Sequence, residues 1–422
     1  MAGPLSNLTV VELATAIQGP AVGLYFSNMG ARVIKVEPPI GDGSRYHRGV
    51  KNELPENIFQ SQFLAMNKGK ESVCIDLKTE IGRDFLEVLL GKADIFISNY
   101  RASALERIGL ELTGLNARFP QLIVGHVNGF GPRGPDADKA MLDGAAQARG
   151  GIANLTGKPG ETSTPPGAAI ADHAGAMQLA LACVTALESR HTTGQGQVVR
   201  TSSLGAQLWL HMWELQHSFL TGNQLDRVGP HHPNINAPYG VYTTKDAVDF
   251  MFVTAMTNDA WTNLWIFFDQ PDVLLIEEWD TPGKRIGSSG SEDGVADIRM
   301  RLKNAVALKT FEELEAFFDE QPEIIWERVR DHEGVRTDPQ NIANNYVVEM
   351  DLPTVGKTAT VGTLMEYSLT PTDEAVQLPP ELGADTASIM AELGFDDSQV
   401  EFVETNVTNV RQRLLSALLG TD

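Results

Sequence analysis

Cysteine and long apolar runs are both scarce in this chain of 422 residues. Its two cysteines, Cys74 and Cys183, are too few for a disulfide framework, and both lie in apolar stretches typical of buried core thiols. No apolar run reaches the ~18 residues that a membrane span needs. The N-terminal residues also lack the basic and apolar regions of a signal peptide. We therefore expect a cytoplasmic location and no membrane partner.

Several common nucleotide-binding and hydrolytic motifs are missing as well. The segment after the first predicted strand reads TAIQGPAVG, which lacks the G-x-G-x-x-G fingerprint, and Glu37 at the next strand end is followed by two prolines. NAD binding is therefore disfavoured. There is no Walker A sequence and no G-x-S-x-G elbow. His231 and His232 are adjacent but lack further ligands nearby, so no metal site is predicted.

Negative charge is concentrated in the second half of the chain. The net charge is −22; residues 1–210 carry 19 basic and 19 acidic residues, and residues 211–422 carry 14 and 36. Such acidity argues against non-specific nucleic-acid binding, and an anionic ligand would favour the first half. Basic residues lie near the ends of the early predicted strands: Lys35, Arg45, Arg48, Lys51, Lys68 and Lys70. They fit either a phosphate-binding cluster or a solvated rim.

Strand and helix patterns alternate through the first half. This alternation predicts a Rossmann-like open parallel sheet in a large α/β domain over 1–220, completed by 355–422. A composition shift predicts a smaller α+β domain over 225–350. Within these regions we expect one long aromatic-rich helix over 205–222, a β-hairpin over 240–255 and a helix over 310–331.

Asp172 stands between a small, apolar approach, PPGAAIAD, and a long apolar helix. Aspartate is a favoured N-cap, and the positive end of a helix dipole also favours an ionised carboxylate, so a cap and a nucleophile both fit. Gln18 stands where the first strand meets its helix. Its backbone N–H is placed to stabilise an oxyanion, although simple capping of the turn fits equally well.

A series of sequence windows, in order, resembles the class III CoA transferases, the family of formyl-CoA transferase, carnitine CoA-transferase and benzylsuccinate CoA-transferase. The windows are LSNLTVVEL (5–13), QGP (18–20), GARVIKVE (30–37), NKGKES (67–72), DIFISNY (94–100), ALERIG (104–109), DGAAQARGG (143–151), ADHAGAM (171–177) and TGQGQ (193–197). The resemblance implies an open α/β domain, a smaller domain and an interlocked dimer.

The resemblance also implies roles for individual residues. Asp172 matches the nucleophile, and Gln18 matches the glutamine whose backbone N–H supports the reacting carbonyl. The resemblance supplies Asn99, Tyr100, Arg107, Ile108 and Lys139 as CoA-binding candidates. The basic residue Lys35 is added to them. No metal and no permanently bound cofactor is implied, because CoA enters as part of the acyl-CoA substrate.

The implied reaction moves CoA from an acyl-CoA donor to a carboxylic acid. The Asp172 carboxylate attacks the thioester to give a mixed anhydride. CoA thiolate then attacks the aspartyl carbonyl and leaves an aspartyl-CoA thioester. The incoming acid repeats these steps in reverse. Succinyl-CoA is a candidate donor. The aromatic residues Trp209, Trp213, Phe219, Tyr239 and Tyr242 fit the core best and an acyl pocket as the alternative.

Two departures from the family leave alternatives open. Related 2-methylacyl-CoA racemases carry a catalytic histidine where this chain has Leu142, which argues against racemisation. Formyl-CoA transferase has a glycine run over its active site that is missing between 225 and 290, where residues 234–240 read NINAPYG. A CoA-binding subunit of a heteromeric transferase is a further alternative, and a homodimer and a heteromer both remain open.

Overall fold

A computed structural model of the chain describes residues 3–50, 59–255, 257–286, 291–353, 355–372 and 375–419. It divides into two compact units. The first comprises Met1–Gly150, Gly167–Leu210 and Arg336–Asp422, and the second comprises Gly151–Pro166 and His211–Val335. The boundaries predicted at 220, 225, 350 and 355 lie at 210, 211, 335 and 336, and the inclusion of 151–166 in the second unit was not predicted. The predicted phosphate ligand Lys51 lies outside the described residues.

The described residues form eleven strands. They are β1 (Thr9–Leu13), β2 (Arg32–Glu37), β3 (Glu71–Cys74), β4 (Ile95–Ser98), β5 (Ile123–Asn128), β6 (Val198–Ser202), β7 (Gly240–Thr243), β8 (Asp249–Ala255), β9 (Ile324–Arg328), β10 (Val347–Leu352) and β11 (Gly356–Val361).

The same residues form eighteen α-helices and three short 3-10 helices. The α-helices are α1 (Gln18–Asn28), α2 (Ser61–Asn67), α3 (Glu80–Leu90), α4 (Ala102–Glu106), α5 (Leu112–Arg118), α6 (Asp143–Gly150), α7 (Ile152–Leu155), α8 (Ile170–Thr193), α9 (Ser203–Leu210), α10 (Met212–Thr221), α11 (Asn258–Phe267), α12 (Pro282–Ile286), α13 (Glu292–Val306), α14 (Phe311–Asp319), α15 (His332–Thr337), α16 (Pro339–Ala343), α17 (Thr386–Glu392) and α18 (Asp397–Leu419). The 3-10 helices are Gly43–Arg45, Pro271–Leu275 and Glu277–Trp279.

The first unit is built on a six-stranded sheet in the order β3-β2-β1-β4-β5-β6. All five strand pairs are parallel, which confirms the predicted Rossmann-like open sheet. The order reverses between β1 and β4. In open α/β sheets, ligands bind at the carboxyl ends of the strands beside such a reversal. A ligand-binding site is therefore expected at the loops after β1 and β4.

Both faces of this sheet are buried. Along β4, Phe96 points into one apolar cluster, whereas Ile95 and Ile97 point into the other, as the two-residue period of a strand requires. Side chains of α3, α5 and α18 complete the first cluster, and side chains of α1 and α8 complete the second. Cys74 and Cys183 are free, buried thiols in these clusters, as expected.

Helix α8 is a core helix of the first unit. Among the described residues it is the one helix long and apolar enough to cross a membrane, but 50% of that apolar window is buried inside the fold. Small residues let it lie close to the sheet: a Cβ added at Gly125 on β5 would approach Cys183 Sγ to 2.8 Å. Packing therefore explains the small and apolar residues on the buried face of the helix.

The second unit contains an antiparallel sheet in the order β7-β8-β9, and its first two strands form the predicted hairpin. The helix predicted over 310–331 is wrong beyond Asp319. Residues 324–328 instead pair with β8, because Pro322 interrupts the helix and two β-branched isoleucines follow it.

The long helix predicted over 205–222 is broken at His211 into α9 and α10. The expectation that its aromatic residues are core is wrong for Trp209, Trp213 and Phe219, which are 63%, 54% and 74% exposed. Tyr242 is buried in the core of the second unit, as expected.

Candidate active site

Asp172 is the third residue of α8, and the N-cap position belongs to Ala169. The alternative in which Asp172 is the N-cap of its helix is therefore excluded. The carboxylate of Asp143, the first residue of α6, performs that role from outside the helix. Its Oδ1 accepts the backbone N–H of Ala171 at 2.8 Å and that of Asp172 at 3.1 Å. The side chain of Asp172 is thereby left for another purpose.

Two side chains, Ser203 and Gln18, hold Asp172 through consecutive hydrogen bonds. Ser203, fully buried at the start of α9, donates its hydroxyl to Oδ1 of Asp172 at 3.0 Å. Gln18, the first residue of α1, donates its amide Nε2 to the Ser203 hydroxyl and to the backbone carbonyl of Asn128 at 3.3 Å. The structure therefore brings the two predicted catalytic residues together through a serine.

This arrangement needs a glycine on α8. Gly175 lies almost one turn after Asp172, and a Cβ added there would sit 3.1 Å from Gln18 Nε2. That distance is closer than an ordinary van der Waals contact, so an alanine would require the Gln18 amide to shift. A glycine in mid-helix costs about 1 kcal/mol relative to alanine. Its presence here is explained by the approach of Gln18.

The protonated form of Asp172 is favoured more strongly by its surroundings than the protonated form of an ordinary, solvent-exposed aspartate. Burial raises the pKa of Asp172 to about 6; the Ser203 hydrogen bond opposes that rise, and the nearby Asp143 carboxylate adds a smaller upward effect. The side chain remains mainly ionised at neutral pH. A carboxylate of higher pKa is also a stronger nucleophile, so this environment suits an attacking carboxylate.

Asn99 lies at the reversal point of the sheet. It follows β4, and its side-chain amide donates to Thr15 O at 2.8 Å while its Oδ1 accepts the Thr15 N–H at 3.0 Å. It thus fixes the β1 to α1 turn that leads into Gln18. The neighbouring Tyr100 is partly buried against the apolar core, and its backbone carbonyl contacts His126 Nε2 at 2.8 Å.

The prediction that Lys35 binds CoA is wrong for this structure. Its ammonium is fully buried and forms ion pairs with Glu12 at 2.9 Å and Asp42 at 3.0 Å. These carboxylates raise the pKa of Lys35 against the opposing effect of burial, so the lysine stays charged. Enclosed in this way, it cannot reach a phosphate.

Most of the other basic residues near Lys35 are also occupied. Lys70 is buried and contacts Glu12 at 2.7 Å, and Arg45 pairs with Glu37 at 2.7 Å. Lys68 donates to Thr360 Oγ1 at 2.9 Å. The sequence pattern identified a cluster of cations correctly, but it did not reveal the acidic residues that fold against them.

Three predicted CoA-binding residues lie outside the buried core of the first unit. Arg107 and Lys139 are exposed, and Ile108 is partly buried against the apolar core after α4. Lys139 lies over the ring of Phe130, 5.7 Å from its centroid. Arg107 and Lys139 therefore leave their charges accessible to an anionic ligand.

Sequence reasoning missed two members of the site, Asp143 and Ser203. Asp143 opens one of the windows quoted above, and Ser203 follows the strand pattern QVVRTS, so each had a local signal. A polar residue at the carboxyl end of a parallel strand is placed at the ligand-binding edge. What the sequence did not contain was the pairing of either residue with Asp172.

A cavity of about 880 Å³ lies elsewhere in the first unit. It is lined by parts of 27–31, 68–69 and 342–377, and it includes none of the predicted catalytic or CoA-binding residues. Among the described residues no group of three or more His, Cys, Asp or Glu side chains could hold a metal ion. The candidate active site is formed by Gln18, Ser203 and Asp172, here called the Asp172 cluster.

The fold and this cluster define an α/β protein with a buried carboxylate at a helix N-terminus, close to the carboxyl edge of the sheet. Residues 5–386 match the model of CoA-transferase family III, and the chain belongs to that family. It is thus an enzyme of the CoA-transferase class.

Individual relatives support this assignment. The chain is 30% identical over 372 residues to a succinyl-CoA–D-citramalate CoA-transferase of Chloroflexus aurantiacus, covering 87% of this chain and 89% of that protein. It is 27% identical to a cinnamoyl-CoA:phenyllactate CoA-transferase of Clostridium sporogenes, covering 94% and 95%. A CAIB/BAIF family protein from Brucella suis has a similar structure, with a TM-score of 0.80, 29% identity and coverage of 93% and 100%.

Proposed function

We propose that this enzyme transfers CoA from an acyl-CoA to a carboxylic acid through a covalent aspartyl-CoA thioester on Asp172. The observation that carries the proposal is the state of this side chain. It is 9% exposed, its Oδ1 is held by Ser203, and the capping role that would otherwise explain it is filled by Asp143. A buried, oriented and ionisable carboxylate suits nucleophilic catalysis.

The proposed CoA-binding residues come after β4 and β5 in the chain, two strands whose carboxyl ends lie at the same edge of the sheet. Asn99 and Tyr100 would line the adenine side, and Arg107 with Lys139 would attract the phosphates, with Ile108 packing beside them. Arg107→Gln is expected to raise the KM for acyl-CoA several-fold and to leave kcat unchanged, because the charge would bind substrate and transition state alike. A fall in kcat at unchanged KM would contradict this assignment.

The proposed donor is a succinyl-CoA-like thioester, and the acceptor is a small carboxylic acid. The relatives named above act on succinyl-CoA with D-citramalate and on cinnamoyl-CoA with phenyllactate, which supports a search among dicarboxylic and aryl-substituted acids. We also propose a cytoplasmic enzyme that works as a homodimer or with a related subunit. Size measurement together with activity of the purified chain alone distinguishes these two assemblies.

A matched pair of variants tests the proposed function. Asp172→Asn removes the nucleophile, whereas Glu188→Gln makes the same chemical change at an exposed position on the same helix. A panel of acyl-CoA donors and carboxylic acids is assayed by mass spectrometry of the new thioesters. Transfer is expected to vanish in Asp172→Asn and to persist in Glu188→Gln.

The racemase alternative predicts a different reaction of an acyl-CoA substrate. In deuterated water a racemase would exchange the α-proton of a 2-methylacyl-CoA without any acceptor acid. Leu142, 78% exposed immediately before α6, offers no acid–base group at the position where racemases carry histidine. Exchange at the α-carbon without CoA transfer, or transfer that survives Asp172→Asn, would refute the proposed function.

A further inference from the structure

The donor and the acceptor of each hydrogen bond from Gln18 through Ser203 to Asp172 follow from one contact, that of Gln18 with the backbone carbonyl of Asn128. The backbone carbonyl of Asn128 can only accept, so the Gln18 side-chain atom that faces it must be the amide nitrogen. The same nitrogen faces the Ser203 hydroxyl. The serine oxygen therefore accepts a hydrogen from Gln18.

The serine hydroxyl carries a single hydrogen, and its oxygen already receives the Gln18 N–H. The hydrogen is therefore directed to Oδ1 of Asp172, 3.0 Å away. Among the residues that the structure describes, the side-chain hydrogen bond to this carboxylate comes from Ser203 and reaches Oδ1, not Oδ2. The two carboxylate oxygens are thus unequal before any substrate binds.

We propose that the Ser203 hydroxyl assigns the roles of the two oxygens, with Oδ2 as the attacking atom and Oδ1 as the oxygen that becomes an oxyanion stabilised by Ser203. This inference rests on the proposed function. Ser203 touches a reacting atom, so it is a catalytic residue rather than a distant support.

The bond changes of the first half-reaction show where the donor is needed. Oδ2 attacks the acyl carbon of the substrate, the carbon–sulfur bond breaks, and CoA leaves as a thiolate with the bonding electron pair. The thiolate then attacks Cγ of Asp172, and the carbonyl electron pair moves onto Oδ1. When this intermediate collapses, the bond from Cγ to Oδ2 breaks, the original acid leaves as a carboxylate, and the thioester remains.

The second half-reaction passes through the same intermediate type. The incoming carboxylate attacks Cγ of the thioester, which again places negative charge on Oδ1 before CoA thiolate is expelled. A hydroxyl already directed at Oδ1 requires no reorganisation in either step, and this is the arrangement that stabilises oxyanions efficiently. Gln18 contributes by keeping the hydroxyl pointed at Oδ1, and in this role it is a positioning residue.

The test compares three variants at one strand-to-helix junction. Ser203→Ala removes the hydroxyl, and Ser203→Cys keeps a side chain of similar shape that is only a weak donor. Ser202→Ala is the control, since Ser202 is the preceding residue and its Oγ accepts the Gly205 N–H rather than contacting Asp172. Purified enzyme is mixed with succinyl-CoA, quenched at short times with hydroxylamine, and the Asp172 peptide is quantified.

Both Ser203 variants are expected to form the Asp172 adduct about a hundred-fold more slowly or worse, the size of loss typical for one oxyanion donor. Their affinity for succinyl-CoA and their thermal unfolding should match those of Ser202→Ala. A second measurement is independent of rate. With the aspartate carbonyl carbon labelled, the infrared stretch of the thioester should move to higher frequency when Ser203 is replaced.

The outcomes separate this inference from the function beneath it. Absence of any Asp172 adduct in the unmodified enzyme contradicts the proposed function and the inference with it. An adduct that forms at the same rate in the unmodified enzyme, Ser203→Ala and Ser203→Cys overturns the inference and leaves the proposed function standing. An unchanged infrared frequency in the Ser203 variants overturns it equally.

Discussion

Replacing Asp172 with asparagine is expected to stabilise the protein while it abolishes CoA transfer. The variant keeps the shape of the side chain, and its amide oxygen still accepts the Ser203 hydroxyl. What it removes is a negative charge that is buried close to a second carboxylate. Residues held in an unfavourable state for catalysis commonly reduce stability in this way.

The expected gain follows from the pKa of Asp172, which burial raises from 3.8 to about 6. Between these values the folded protein keeps a proton that the unfolded chain releases, so the unmodified enzyme loses stability as the pH rises through this window. At about 1.4 kcal/mol for each pKa unit, the full cost of ionisation is about 3 kcal/mol above pH ~6.5. Most of this cost of ionisation disappears near pH ~4.

Urea denaturation at two pH values measures this cost. The stability of Asp172→Asn relative to the unmodified enzyme should be about 2 kcal/mol greater at pH 7.5 than at pH 4.5. Glu188→Gln, which removes an exposed carboxylate from the same helix, should show little pH dependence. An equal difference at both pH values for Asp172→Asn would refute the view that the carboxylate is destabilised by its surroundings.

Three further predictions rest on separate contacts. The kcat/KM for transfer should fall below pH about 6 as Asp172 becomes protonated, and Asp143→Asn should move this limb to lower pH because it removes a charge that raises the pKa of Asp172. Gly175→Ala should reduce transfer about ten-fold without lowering the melting temperature, because the new methyl group crowds Gln18 while alanine favours the helix by about 1 kcal/mol. Lys35→Met should lower the free energy of unfolding by about 3–5 kcal/mol, since buried Asp42 loses its counter-ion and buried Glu12 keeps only Lys70.

Each of these predictions has a result that would contradict it. A pH profile that is flat between 5 and 7, or a limb unmoved by Asp143→Asn, would show that Asp172 ionisation does not limit the reaction. Full activity in Gly175→Ala would show that the position of Gln18 is unimportant. An unfolding midpoint unchanged in Lys35→Met would show that the buried ion pairs contribute nothing.

The sheet was predictable because its signal is local. Apolar runs of strand length alternate with helical periods from β1 to β5, and the parallel order follows from that alternation. The helix predicted over 310–331 failed where long-range pairing decides the outcome. Pro322 interrupts the helix, and residues 324–328 then become a strand because β8 offers them an edge.

The site was predictable in its members more than in its contacts. Asp172 and Gln18 follow from windows along the chain, but their connection depends on Ser203, which is 31 residues after one and 185 after the other. Lys35 shows the reverse error: its charge suggested a phosphate ligand, and its burial beside Glu12 excludes that role. A linear pattern does not record which charges face one another.

The proposed reaction depends on a covalent intermediate at Asp172, which mass spectrometry of the trapped enzyme can detect. The enzyme is incubated with succinyl-CoA, treated with hydroxylamine and digested. We expect a hydroxamate on the peptide that contains Asp172, present in Glu188→Gln and missing in Asp172→Asn. Modification of a different residue, or efficient transfer with an unmodified Asp172, would contradict it.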